Sequence, residues 1–169
     1  HLLPMNENHF KITIKDNGPG IVPEKIGQIF GKLLYGSKFH QLKMSRGQQG
    51  IGISAAGMYG LMTTGQPMVV ISKAGKRKKA VRVELKIDTA KNKSEIISQI
   101  DINDSDEIFP SKQGTQVSIE LEGRHQKGKQ SVDEYLEQTA IANPHADITY
   151  INPSNETLNY PRAINELPP

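Results

Sequence analysis

Ser45-Arg46-Gly47-Gln48-Gln49-Gly50-Ile51-Gly52-Ile53-Ser54-Ala55-Ala56-Gly57-Met58 runs from a polar, glycine-punctuated loop directly into an apolar helical pattern. Glycine has no side chain, so such a loop can bring its backbone close to a ligand, and the first turn of the following helix carries amides without intrahelical partners. With the helix dipole behind them, those amides attract anions. The stretch therefore predicts a phosphate cradle, and a nucleotide binder around it. The competing reading is a loop and helix that simply pack tightly. Against it, Gly50, Gly52, Gly57 and Gly60 would each cost a helix about 1 kcal/mol relative to Ala, and packing alone offers no evident reason to carry four.

Upstream, Phe10-Lys11-Ile12-Thr13-Ile14-Lys15 alternates apolar and polar, which predicts a strand with Phe10, Ile12 and Ile14 turned inward. The residues before it, His1 to His9, read as a short, mostly polar lead. Asp16-Asn17-Gly18-Pro19-Gly20-Ile21 would suit a hairpin turn, but Pro23 and Glu24 open a helix instead, with Ile26, Ile29, Phe30 and Leu33 on one face. From Tyr35 to Gln49 no periodicity survives, and a loop of that length predicts a lid. The glycine-rich helix should run to about Met62, where Thr63-Thr64-Gly65-Gln66-Pro67 stops it.

Downstream, Met68 to Lys73 and Ala80 to Asp88 read as strands flanking the basic tip Ala74 to Lys79, with Val81, Val83, Leu85 and Ile87 facing one way. The tip could touch DNA, although a solvated hairpin end is the plainer reading. A strand near Glu95 to Ile102, an acidic loop, and a strand from Thr115 to Glu122 follow. Ser131-Val132-Asp133-Glu134 is a capping box for a helix with Val132, Tyr135, Leu136 and Thr139 on its inner side. Asp147 to Ile151 and Thr157 to Tyr160 read as a hairpin. The order predicts an α/β (α+β) two-layer sandwich, a mixed and mainly antiparallel sheet with helices on one face.

Composition narrows the classes. The 169 residues suit one domain with one core, and the absence of Cys excludes disulfides and thiolate metal sites. His1, His9, His40, His125 and His145 are scattered without metal-ligand spacing. A net charge of +3 is too small a bias to argue nucleic-acid binding by itself. No apolar run is long enough to span a membrane, and nothing at the start resembles a signal peptide. Among commoner nucleotide motifs, Gly31 to Lys38 fails the Walker pattern by exchanging its last two residues. Gly50, Gly52 and Ala55 match a dinucleotide fingerprint, but a polar lid precedes them, and Ser72 and Lys73 stand where the ribose-binding acid should be.

Asp16-Asn17-Gly18-Pro19-Gly20, Gly47-Gln48-Gln49-Gly50-Ile51-Gly52 and Gly114-Thr115, in that order with a lid between the first two, resemble the Bergerat-type ATP sites shared by gyrase, the ninety-kilodalton heat-shock chaperone, histidine kinases and MutL. Within that superfamily, Leu34 to Lys38, Arg46 to Ala56 and Tyr160-Pro161-Arg162 are similar to the B-subunit family of archaeal DNA topoisomerase VI.

The resemblance implies an ATP-binding domain over residues 1–160 and a linker over 161–169. Asp16 would accept a hydrogen bond from the adenine amino group, where guanine's carbonyl would be repelled. Gly18 and Gly20 would let the chain turn under the base, and Thr115 would support Asp16 and an ordered water. Ser37 and Lys38 of the lid would hold the phosphates of ATP with Mg2+, together with the backbone of Gly47, Gln48, Gln49, Gly50, Ile51, Gly52, Ile53 and Ser54. Bound ATP would order the lid and drive dimerisation of two B subunits, closing a clamp on double-stranded DNA. A separate A subunit would break the strands within a heterotetramer that is cytoplasmic, nucleoid-associated and free of any membrane.

In that family the general base is a Glu and the magnesium ligand an Asn, on a helix upstream of the first strand. Glu7 and Asn8 lie instead on the short lead. The expectation is thus a nucleotide cradle with no catalytic residue of its own, unable to hydrolyse ATP alone. The phosphate-sensing Lys would likewise come from a later domain. The alternatives are a module of chaperone or mismatch-repair type, or a scaffold that has lost ATP.

Overall fold

The computed structural model describes residues 1–6, 8–30, 52–88, 93–124, 132–142 and 147–163. In chain order its elements are β1 (Leu2–Asn6), β2 (His9–Asp16), α1 (Pro23–Phe30), α2 (Gly52–Thr64), β3 (Met68–Lys73), β4 (Ala80–Asp88), β5 (Lys93–Ile102), β6 (Gly114–Glu122), α3 (Val132–Ala142), β7 (Ile148–Ile151) and β8 (Thr157–Tyr160). Six strands form one sheet in the order β1-β2-β6-β3-β4-β5, and β7 with β8 forms a separate hairpin. The pairings β1–β2, β3–β4, β3–β6 and β4–β5 are antiparallel. This is the mainly antiparallel α/β arrangement expected from the strand and helix order. The lid expected over 35–49 and most of the glycine loop lie outside the described residues. No described helix is long and apolar enough to cross a membrane.

Contacts divide the chain into two compact units, Thr13–Leu121 and a second made of His1–Ile12 with Glu122–Pro169. In the first, the register Met68↔Leu85, Val70↔Val83 and Ser72↔Val81 puts alternate residues of β3 and β4 on one face. There Met68, Val70, Val81, Val83, Leu85 and Ile119 are buried beneath Ile26 and Phe30 of α1, with Ile53 and Ala56 of α2 packed alongside. Each such aliphatic side chain contributes about 1.5–3 kcal/mol by leaving water. Helices thus cover this face, as the alternation of Val81, Val83 and Leu85 requires. Ile71, Ala80 and Phe109 are buried in a second cluster with Val69, Ile102 and Ile108.

Two of the glycines in α2 have a packing reason. A Cβ on Gly57 would lie 2.5 Å from Met68 Cε, and one on Gly60 would lie 2.6 Å from the Glu120 carbonyl oxygen and 2.7 Å from Ile119 Cγ2. The helix presses onto β3 and β6 there, so the expectation that packing could not account for these positions is corrected. At the helix end, Gly65 takes a left-handed φ of 72° and its N–H donates to the Leu61 carbonyl, a glycine stop.

The other unit has its own small core of Leu2, Phe10 and Tyr150, joined by Ile12, Leu136 and Leu158. Here the expected polar lead is a strand: β1 pairs with β2 through Leu2↔Ile12 and Pro4↔Phe10. Its sequence hides this because Leu3 and Met5 are exposed and only Leu2 is turned into the core. Ile14 was expected inward with Phe10 and Ile12, but it is 64% exposed. The apolar cluster around β2 ends at Ile12, so alternation alone misplaces Ile14. Likewise only Leu136 of the four expected α3 residues joins the cluster, and Tyr135 is 69% exposed.

The Tyr150 hydroxyl donates to Asp133 Oδ1 at 2.8 Å, tying β7 to the first turn of α3. Burial, then this bond and the neighbouring Asp133 charge, push the phenol well above its usual pKa. The turn of the hairpin is closed by the buried Asn152, whose Oδ1 accepts from the Ser154 and Glu156 amides. Beyond β8, Arg162 is tied back by its N–H and its guanidinium to Asp147.

Candidate functional site

The chain turns away from β2 at Asp16, and the Gly18 N–H closes the turn by donating to Asp16 Oδ1 at 3.0 Å. Asp16 is exposed, with its carboxylate at the mouth of the turn. Gly20 then adopts φ 76°, and a side chain there would run into the carbonyl of Lys73 at the end of β3. The start of β6 meets the same place from the other side: a Cβ on Gly114 would collide with the Asp16 carbonyl and lie 2.9 Å from Phe109 Cδ1. Both glycines are therefore required by close approach of backbone to backbone.

Between these segments sits Ser72, 2% exposed. The Ile21 N–H donates to its Oγ at 2.8 Å. The Ser72 hydroxyl also reaches the Gly114 carbonyl at 3.2 Å and Thr115 Oγ1 at 3.0 Å. One small polar side chain thus joins the turn after β2, the end of β3 and the start of β6.

Above this junction opens a cleft of about 590 Å³, within the range of small-molecule sites. Its polar side chains are Asp16, Asn17 and Thr115, and its apolar walls come from Pro19, Ile21, Phe30, Ile53 and Val117. The arrangement suits a flat heterocycle: apolar side chains for its faces and polar side chains, the acceptor Asp16 among them, for one edge. Ile53 belongs to the first turn of α2, which begins at Gly52, so the helix start, whose first amides have no intrahelical partners, adjoins the cleft.

Of the residues expected from sequence to hold a ligand, Asp16, Gly18, Gly20, Ile53 and Thr115 line this one cleft. Ser54 is placed differently: it is fully buried, and its hydroxyl donates to the Phe30 carbonyl at 2.6 Å, at the end of α1. Its side chain is engaged in joining α1 to α2, and only its backbone remains for an anion. Of Gly52 the backbone alone is described, while Ser37, Lys38, Gly47, Gln48, Gln49, Gly50 and Ile51 lie outside the described residues. Among the described residues no three His, Asp or Glu side chains converge as a metal site.

Sequence reasoning passed over Ser72, treating it only as the wrong residue for a ribose-binding acid. The available signal was parity: Met68, Val70 and Ser72 share the inward face of β3, and a polar residue on a buried face is more informative than the apolar ones around it.

The family model described as "Histidine kinase-, DNA gyrase B-, and HSP90-like ATPase" matches residues 2–115. Among curated proteins, the chain is 46% identical over 163 residues to a protein of Archaeoglobus fulgidus named as the B subunit of type 2 DNA topoisomerase 6, covering 96% of this chain and 26% of that one. Proteins of the same name from Methanococcoides burtonii and Pyrococcus horikoshii are 45% and 39% identical over 169 and 168 residues, covering 99% and 97% of this chain and 26% and 28% of theirs. The chain therefore spans about a quarter of the length of these relatives.

Proposed function

Since the chain belongs to the histidine kinase-, DNA gyrase B- and HSP90-like ATPases, we propose that its cleft takes ATP, as the nucleotide-binding part of a topoisomerase VI B subunit. The observation that carries this is the convergence of Asp16, Thr115 and the first turn of α2 on one apolar-walled cleft. The adenine lies between Ile21, Phe30, Ile53 and Val117, and Asp16 accepts from its 6-amino group. A carboxylate offers only lone pairs, so a 6-oxo purine is disfavoured at the same point.

The triphosphate extends toward the amides that begin α2, and Ser37, Lys38 and the backbone from Gly47 to Ser54 are the residues we assign to holding it. Mg2+ would accompany the triphosphate, and none of the described residues is assigned to it. Thr115 and the glycines Gly18 and Gly20 shape the floor. The only carboxylate among the described residues of the cleft is Asp16, and it is committed to the base, so no group here is assigned to activating water. The reading therefore assigns ATP binding to this cleft and leaves the group that activates water unassigned among the described residues.

In the whole protein, ATP binding drives dimerisation of two B subunits around double-stranded DNA, and hydrolysis accompanies strand passage through a break made by the A subunit of a heterotetramer. The complex is cytoplasmic, at the nucleoid. Residues 1–160 form its ATP-binding domain and 161–169 lead onward. The names and the degree of identity of the relatives favour the topoisomerase over chaperone or mismatch-repair modules.

The test is a nucleotide titration. Asp16→Ala removes a hydrogen bond to a charged group, worth about 1.5–3 kcal/mol, and should weaken ATP binding roughly ten- to hundredfold. An unchanged dissociation constant in the full-length protein would refute the placement of the base.

A further inference from the structure

We infer that Ser72 is a positioning residue that fixes the hydrogen-bonding polarity of Thr115, and so sets how strictly the cleft demands a donating edge on the base. The inference rests on the reading of the cleft as an adenine site. It follows from proton counting around one buried hydroxyl. Ser72 Oγ has one proton and two lone pairs. The Ile21 amide can only donate, so it takes one lone pair. The Gly114 carbonyl can only accept, so Ser72 is the donor across that 3.2 Å contact. The remaining contact, at 3.0 Å, is with Thr115 Oγ1. Either oxygen could donate across it, and assigning the Ser72 proton to the Gly114 carbonyl makes Thr115 the donor in that pair.

Thr115 has then spent its own proton on Ser72 and turns only lone pairs toward the cleft it lines. Asp16 presents only lone pairs as well. Two acceptors, Asp16 and Thr115, favour a ligand edge or a bridging water that donates and disfavour a 6-oxo group, while Asn17, the third polar side chain of the cleft, can donate as well as accept. Without Ser72, the Thr115 hydroxyl would regain a free proton and could rotate to serve either kind of edge. The burial of Ser72 keeps water from substituting for it. The same side chain holds the Ile21 amide, so it also steadies the turn that carries Asp16.

ATP and inosine triphosphate separate these effects, because they differ at the 6 position and N1 and not in the ribose or phosphates. Calorimetric titration of both nucleotides into the full-length protein should give a clear preference for ATP. Ser72→Ala should narrow that preference about three- to tenfold, the worth of one hydrogen bond. Ser72→Thr keeps the hydroxyl and should retain the preference. Ser72→Cys keeps the shape with weaker bonds and narrows it even where Ser72→Ala folds poorly. A purely structural serine would lower the melting temperature and weaken both nucleotides alike, leaving the ratio unchanged, and that result in Ser72→Ala and Ser72→Cys overturns the inference. A wild-type protein that binds neither nucleotide sinks the adenine reading together with this one. A wild-type preference that the Ser72 variants leave intact sinks this one only.

Discussion

Replacing Gly60 and Gly57 of α2 by Ala, one at a time, distinguishes glycines that the sheet requires from glycines that it merely tolerates. Either substitution gains about 1 kcal/mol of helix propensity. At Gly60 the new methyl would sit 2.6 Å from the Glu120 carbonyl oxygen and 2.7 Å from Ile119 Cγ2. The first is backbone of β6, two residues before the strand ends, which cannot yield without moving the strand, so the cost falls at the upper end of the 1–3 kcal/mol range of overpacking, about 3 kcal/mol. The net expectation for Gly60→Ala is a loss of about 2 kcal/mol. At Gly57 the clash is with Met68 Cε at 2.5 Å, the free end of a flexible chain, while Met68 Cβ is at an ordinary 3.8 Å. Met68 can rotate away, and Gly57→Ala should come out near neutral. Urea unfolding should separate the two variants by about 2 kcal/mol, or by about 4–8 °C in melting temperature for a chain of this size. Equal losses, or a stabilised Gly60→Ala, would refute the claim that α2 is seated on β6 at that contact.

Ser54→Ala should cost about 1–3 kcal/mol of stability, because the Phe30 carbonyl loses its buried donor. Its ATP affinity, measured where the variant is folded, should stay within about twofold, and a large loss would mean that the hydroxyl serves the phosphates instead. Tyr150→Phe tests the other unit by pH. The folded phenol is held above its ordinary value by burial and by Asp133, so above the unfolded value near 10 the unfolded chain releases a proton that the folded one keeps. Wild-type stability should therefore fall as pH rises through that value, by up to about 1.4 kcal/mol per unit, and be fully present below it. Phe at 150 should abolish that part of the slope, and identical alkaline slopes would contradict the Tyr150–Asp133 bond.

How much could be read in advance depended on how local each cause was. The β3–β4 hairpin was legible because period-two alternation in Val81, Val83, Leu85 and Ile87 is a property of one strand, and each of the four is buried. The turn at Asp16 was legible because Asn17-Gly18-Pro19-Gly20 restricts the backbone by itself. β1 was not, since its partner across the sheet decides it and its own pattern is broken by Pro4 and exposed Met5. Ile14 went wrong for the same reason: alternation reports which side a residue faces, not what lies on that side.

The glycines are the sharper case. The run through Gly50, Gly52, Gly57 and Gly60 led to the cleft, yet Gly57 and Gly60 answer to Met68, Ile119 and Glu120. A glycine needed for a ligand and one needed for a neighbouring strand look alike in sequence, because both are simply places where a Cβ does not fit. Ser72 is the converse. Its three partners lie 42 to 51 positions away in the chain, so no window of sequence contains them, and only its inward parity among valines and a methionine marks it. An inward serine on an apolar strand is unfavourable unless its bonds are made elsewhere. Here those bonds join the segments that carry Asp16 and Thr115, so the cost of burying one hydroxyl is offset by three contacts that hold the turn after β2, the end of β3 and the start of β6 together.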